Sequence, residues 1–450
     1  MKKFLSLLMA TALVMAFATA AGASDYDAMA DDLAAIGMFT GTDVGYELDR
    51  EPTRAEVAVM LVRMLGAEET AKTQYAANTI SHPFTDVADW AAPYVAYLYT
   101  NKLSNGVSDT EYGSSQLCSG QMYCTFMLRA LGYSDADGGD FSYAAALDYA
   151  AEKGITDKAF VATFKRDELV AVSYQTLSTA VKGGSQSLLE KLTAAGAIDE
   201  TKAAAIESKL AILKEYETLA LKDVASYKSL DCSGTMSFSA TVGGQSISVS
   251  DMKMDMKMNL TDTAVDAAIH VNMTDPTTGQ PVEIYEWMKD GWLYMKQGDL
   301  CYKMQMDYGQ MLATIQQSAG MASGTMSSSM SAYMFTDVTK TETDEGTLYE
   351  FKMSPKFFNS MLGSILGNAG LTNGSNINFG SMVESILVKD GAVKNIKVSA
   401  DLSVALEGMG EMAMQINADL TINSIGSTVV IEYPDFSNYV EMPTAPATGA

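Results

Sequence analysis

The stretch EPTRAEVAVMLVRMLG, residues 51–66, carries the local rules for one helix in full. Val57, Met60, Leu61, Met64 and Leu65 follow an i, i+3, i+4, i+7, i+8 stripe, Pro52 and Thr53 start it and Gly66 stops it. The spacing predicts a helix from about Thr53 to Leu65. Upstream, ADDLAAIGMFTG reads as a shorter helix ending at Gly37 or Gly41. The pattern then recurs. Residues 84–133 again read as helix, glycine-containing loop, helix, and their ending MLRALG parallels MLVRMLG. A weaker third copy runs from Phe141 through AAALDYAAEKGIT to FKRDELVAVSYQTLSTAVKG. Three helix-loop-helix units therefore fill residues 25–183, at about 25–70, 82–134 and 140–183.

What precedes and surrounds these units bounds their setting. Lys2 and Lys3, an apolar run through Phe17 and small residues at Ala20 to Ala23 predict a secretory signal peptide over residues 1–23. No later stretch approaches the length of a transmembrane helix, so a secreted chain without a membrane span is expected. With 450 residues, 48% hydrophobic content and 19% charged, the chain has material for two or three domains. Its 55 acidic residues against 30 basic ones give a net charge of -25, which argues against nucleic acid and anionic lipid as partners. An anionic ligand would need local arginines. Cys118 and Cys124, six apart in one predicted helix, point to different faces and have no metal-site spacing. Cys232 and Cys301 sit where two strands are expected, and a bridge between them stays open.

These units resemble the S-layer homology (SLH) domain, the wall-anchoring module of bacterial surface proteins. The resemblance rests on Phe84-Thr85-Asp86-Val87 with Trp90-Ala91, on Asn105-Gly106 in a loop, and on Pro52-Thr53-Arg54-Ala55-Glu56 at a helix start. It covers about a third of the chain. It implies an all-α bundle of three repeats with pseudo-threefold symmetry, whose grooves bind secondary cell-wall polysaccharide, typically bearing a pyruvate ketal. Arginine pairs with such a carboxylate bidentately, and helix N-terminal amides near Thr53 add positive potential. The resemblance carries polysaccharide contacts to Arg54, Glu56, Asp86, Trp90 and Gly106, and places Arg166 and Glu168 where Arg54 and Glu56 stand. The second repeat has Gly120 and Met122 at those places, so one or two competent grooves are expected. Against ligand contact stand a helix cap or inter-repeat pairing, which weigh most for Asp86 and Glu56.

Near residue 220 the composition changes. Residues 184–219 are helix formers broken at Gly196, with Leu188, Leu189, Leu192 and Ile206, Leu210, Leu213 on two apolar faces, and read as a helical connector. From Ser226, period-two alternation predicts strands, with a hairpin at Asp290-Gly291, and the final strands run through MAMQINADLTINSI, residues 412–425, and TVVIEYPDF, residues 428–436. A helix running into a loop after Tyr308, a short helix capped by Ser354 and an irregular tail at 441–450 complete it. The expected fold is multidomain α + β: SLH-type bundle, connector, and a curved antiparallel sheet with one or two helices over 220–440. The β part resembles the half-barrel of bacterial lipoprotein carriers, whose concave face holds acyl chains.

In MKMDMKM, Met252, Met254, Met256 and Met258 share one strand face while Lys253, Asp255 and Lys257 share the other. Those thioethers suit an adaptable hydrophobic cup, soft ligation of Cu(I), or plain core filling. The two histidines, His82 and His270, assemble into no catalytic motif, and no cofactor or phosphate loop is recognised. The expectation is a non-enzymatic, wall-anchored protein of the bacterial cell surface displaying its β domain. The alternative is an extracellular carrier or sensor of a hydrophobic ligand held against the methionines.

Overall fold

The computed structural model describes residues 26–441 apart from 157, 159, 225–228, 243–244, 262–263, 277, 306–331, 357–358, 360–374, 407–409 and 427–428. The expected signal peptide, the tail beyond 441, the stretch after Tyr308 and most of the helix expected from Ser354 lie outside the described residues. Two units result, one from Ala23–Leu213 with Ser329–Asp337, the other from Lys214–Ser328 with Val338–Ala450.

In the first unit the quoted stretch forms α2 (Arg54–Met64), after α1 (Asp27–Ala35). Thr53 caps it reciprocally: its hydroxyl accepts from the Glu56 N–H at 3.3 Å, and its own N–H donates to the Glu56 carboxylate at 2.8 Å. Then come α3 (Glu68–Ala76), α4 (Ala92–Thr100), α5 (Gly120–Ala130), α6 (Ala146–Glu152) and α7 (Arg166–Ser178). The sequence reading had no place for α3, a polar helix that buries Ala71 and little else, so it carries almost no periodic signal.

The second helix of each repeat, α2, α5 and α7, is the buried one, and α5 packs on both others. A helix start leaves backbone N–H groups without partners. Here the loop of another repeat supplies them. Arg54 and Ala55 donate to the carbonyls of Gln116 and Ser114 at 2.8 and 3.2 Å, and Arg166 and Asp167 donate to Arg50 and Leu48 at 2.9 and 3.0 Å. At the third junction Gly120 lies so close to the loop that a Cβ there would stand 2.6 Å from the Val161 carbonyl oxygen. The last turns repeat a second device. Arg63 donates to the Met38 carbonyl at 3.1 Å, Arg129 to that of Leu103, and Gln175 to that of Gly154 at 3.0 Å.

Two helices follow, α8 (Leu188–Ala194) and α9 (Glu200–Val224), separated where Gly196 takes φ +73°. Lys209 of α9 pairs with Asp32 of α1 at 2.8 Å, while beyond Leu213 the same helix belongs to the second unit, where Glu215 pairs with Lys340 at 2.9 Å.

That unit is one twelve-stranded sheet in the order β12-β6-β5-β4-β3-β2-β1-β11-β10-β9-β8-β7. The strands are β1 (Ser229–Val242), β2 (Gln245–Leu260), β3 (Val265–Thr274), β4 (Pro281–Lys289), β5 (Trp292–Gln297), β6 (Leu300–Gln305), β7 (Phe335–Thr343), β8 (Gly346–Met353), β9 (Ser375–Lys389), β10 (Ala392–Leu406), β11 (Gly410–Ile425) and β12 (Val440–Glu441). From β6 to β8 in this order every pair runs antiparallel, β12 runs parallel to β6, and β7 and β12 leave the curved sheet open at its two edges. Asp290-Gly291 makes the expected hairpin, both residues at positive φ (50° and 84°). One face is apolar: Ile269, Val271 and Ile284 pack with Met252, Met254 and Met256, and Val265, Ala267 and Met288 pack with Met258.

One sequence expectation fails here, and one question left open by the sequence is answered. The described residues of TVVIEYPDF make no strand: Asn259 bonds both backbone groups of Val429, Pro434 has no N–H to give a ladder, and Phe436 stacks on Tyr294 at 3.7 Å. Cys232 and Cys301 are both free, on β1 and β6 five strands apart in sheet order, about 24 Å along the sheet at the usual strand spacing.

If backbone contact closes the third junction, Gly120→Ala should cost about 1–3 kcal/mol, the usual range for overpacking. Urea denaturation of the full chain would show it, and an unchanged midpoint would remove the closure argument.

Candidate functional site: a cleft between the first two repeats

The start of α2 and the body of α5 face each other across a cleft of about 220 Å³, lined by Arg54, Lys102, Ser104, Met122, Arg129 and Tyr143 among others. Arg54 is anchored on one side only. Its Nε donates to the Tyr112 carbonyl at 3.0 Å, its guanidinium lies 4.9 Å over the Tyr112 ring, and Nη1 meets the Met122 sulfur at 3.3 Å. Among the described residues it has no carboxylate partner. Lys102, exposed at the cleft's edge, has none either. Arg129, by contrast, is spent on Asp135 through two bonds of 2.8 and 2.7 Å. Tyr143, 48% exposed, also lines the cleft.

The third repeat shows the same geometry with a different outcome. Arg166 donates through Nε to the Tyr46 carbonyl at 2.8 Å and lies 4.9 Å over the Phe39 ring. Its Nη1 then reaches Glu56 at 2.6 Å, and the arginine is 3% exposed. Glu56 and Met122 hold the same position in α2 and α5, so one side-chain change decides whether the arginine is sealed or left uncompensated. Burial raises the Glu56 pKa, but Arg50, the Thr53 N–H and Arg166 outweigh it and hold the carboxyl below the usual glutamate range.

The other expected polysaccharide contacts are placed as follows. Asp86 accepts the backbone N–H groups of Tyr112, Gly113 and Ser114 at 2.7, 2.8 and 2.9 Å. Burial raises its pKa, and these three bonds more than reverse that, leaving it low. Asp86 thus shapes the loop whose carbonyl holds Arg54. Trp90 is 55% exposed before α4 and does not line the cleft. Gly106 has φ +28°, and a Cβ there would stand 2.3 Å from the Phe84 ring. The structure therefore brings together Arg54 with Lys102, Arg129 and Tyr143, and separately Glu56 with Arg166. Lys102, Arg129 and Tyr143 escaped sequence reading because none falls in the motif. The missing acid at Met122 signals only that Arg54 is left without a carboxylate there.

In the sheet, Met252, Met254, Met256 and Met258 are half-buried on the apolar face and the intervening Lys253, Asp255 and Lys257 exposed on the other. Among the described residues no group of His, Cys, Asp and Glu could hold a metal ion, and no helix is long and apolar enough to cross a membrane.

No family model matches the chain. It is 32% identical over 149 residues to the Middle cell wall protein of Brevibacillus brevis (strain 47 / JCM 6285 / NBRC 100599), a match that takes in 30% of this chain and 14% of that protein. The chain thus spans about a seventh of that relative's length. Among solved structures it is similar to LprF from Mycobacterium bovis (TM-score 0.26, 12% identity, 49% of this chain and 97% of that one). It is also similar to a DUF1329 family protein from Desulfovibrio piger ATCC 29098 (TM-score 0.20, 10% identity, 47% and 93%). At such scores these two likenesses carry no argument.

The two arginines should separate cleanly. Arg166→Ala removes a buried charged hydrogen bond to Glu56, which keeps Arg50, and should cost about 2–3 kcal/mol, while Arg54→Ala, which breaks no ion pair, should cost about 1 kcal/mol. Equal losses in denaturant titrations would contradict this assignment. Because the folded pKa of Glu56 is the lower one, its stabilisation is complete above the unfolded value and is lost as pH falls through the folded value. Glu56→Gln should accordingly flatten the acid limb of the stability curve below about pH 4.

Proposed function

We propose that the helical unit is an SLH-type anchor that holds a secreted protein at the bacterial cell wall by binding secondary cell-wall polysaccharide. The observation that carries this reading is Arg54: an arginine without a carboxylate partner among the described residues, open to a cleft, in a chain of net charge -25. The Pro-Thr-Arg-Ala-Glu start and the likeness to a cell wall protein support it. A carboxylate on the polymer, such as a pyruvate ketal, pairs with the free side of Arg54 while Lys102 adds charge and Tyr143 covers a sugar ring. Long-range repulsion between two acidic partners makes such local cations necessary. The reading is one of binding and placement, without catalysis or cofactor, and the β unit is what the anchor places.

A second reading is supported by the half-exposed methionine row: the sheet's apolar face takes a hydrophobic ligand.

Sedimentation of the full chain with peptidoglycan sacculi, before and after hydrofluoric-acid stripping, tests the anchor. Arg54→Ala with Lys102→Ala should weaken binding about 10- to 150-fold, the range for losing charged hydrogen bonds. Full binding by that variant would sink the cleft, and undiminished binding to stripped sacculi would sink the polysaccharide.

A further inference from the structure

On the apolar face of the sheet, register places one acid in a row of hydrocarbon. Glu286 of β4 stands opposite Ile269 of β3 and Met295 of β5, and shares its face with Ile284 and Met288 along its own strand. It is 8% exposed. Among the described residues its carboxylate has neither a hydrogen bond nor an ion pair, and burial alone pushes it up to about 7. One strand further out the row reaches Tyr302 of β6, a phenol that burial and the charge of Glu286 hold above its ordinary value. In the other direction Ile269 is followed by Met256 of β2, about 10 Å from Glu286 at the usual strand spacing.

An acid in such a place is stable when neutral or when a cation meets it. Among the described residues no cation pairs with Glu286, and Lys340, at the far end of the face, is paired with Glu215, whereas the acidity of the whole chain draws cations to it from solution. The half-exposed methionines beside it can follow the contour of a flexible chain.

We propose that this face binds a cationic amphiphile, its hydrocarbon lying over the Ile269–Met256 row and its ammonium group paired with the carboxylate of Glu286. The proposal rests on the second reading above and adds the charge of the headgroup.

Calorimetry of the full chain at pH 8 with dodecylamine and dodecyl maltoside, each below its micelle concentration, separates the two. Salt at 0.5 M, where the Debye length is about 4 Å, screens the general attraction of an acidic surface. Dodecylamine should bind at least tenfold more tightly than the neutral amphiphile, and Glu286→Gln should abolish that preference while leaving dodecyl maltoside binding as it was. The control is Glu384→Gln: this second acid of the apolar face lies opposite Phe351 and Val398, six strands from β4 in sheet order, and its removal should leave the preference intact. Equal affinities in the unaltered protein, or a preference that survives Glu286→Gln or vanishes with Glu384→Gln, would overturn the headgroup assignment while the hydrophobic-ligand reading stood. Binding of neither amphiphile would remove both. Glu286→Gln replaces an unpaired acid with a neutral isostere, so its fold is expected to persist, and its thermal transition at pH 8 should rise.

Discussion

The helical unit depends on what the first turn of a helix lacks. Each of α2, α5 and α7 begins with backbone N–H groups that its own turns cannot satisfy. Placing another repeat's loop there solves the problem and fixes the repeats against one another in the same stroke. The Gln116 and Ser114 carbonyls serve α2, the Arg50 and Leu48 carbonyls serve α7, and Gly120 lets α5 close on Val161. Asp86 belongs to this scheme, because the turn it ties together is the turn that offers those carbonyls. Helix α2 would still be helical without the neighbouring loop, but its cap would face water and Arg54 would have nothing to rest on.

Most of this fold was legible in the sequence because its rules are local. The apolar stripe, Thr53 and Gly66 delimit α2 to within a residue, and Asp290-Gly291 is a turn wherever it stands. Helix α3 was illegible because it buries so little that no period appears. The segment TVVIEYPDF misled for the opposite reason: its β-branched and aromatic residues suit a strand, yet Pro434 and the stacking of Phe436 on Tyr294 win. The cleft was half legible. A motif names Arg54, but Lys102 and Tyr143 reach it through the packing of different loops, which no spacing in the chain records.

From β2 to β5 the sheet's alternation runs without a bulge. Met252 to Met258 on β2, Ile269 on β3 and Met295 on β5 fall on one face through an unbroken register, and the same register carries Glu286 to that face. A strand cannot present one odd residue elsewhere without a bulge. An acid in the middle of β4 is therefore held where it stands by every hydrogen bond of the ladder around it, and its environment is a property of the sheet rather than of its own side chain.

Repetition with one altered residue explains how a sealed junction becomes an open cleft. Arg54 and Arg166 share an anchor: Nε on the carbonyl of a loop tyrosine, and an aromatic ring 4.9 Å beneath. Where the neighbouring helix offers Glu56, the arginine completes an ion pair and disappears from the surface. Where it offers Met122, the thioether can touch the guanidinium but cannot neutralise it. The charge that the protein uses inside one junction is thereby turned outward in the next. The aromatic ring and the carbonyl, which in the sealed junction merely support an ion pair, in the open one hold the guanidinium's free edge toward the cleft. Pre-organisation of that kind is inherited from the repeat and needs no further residues to maintain it.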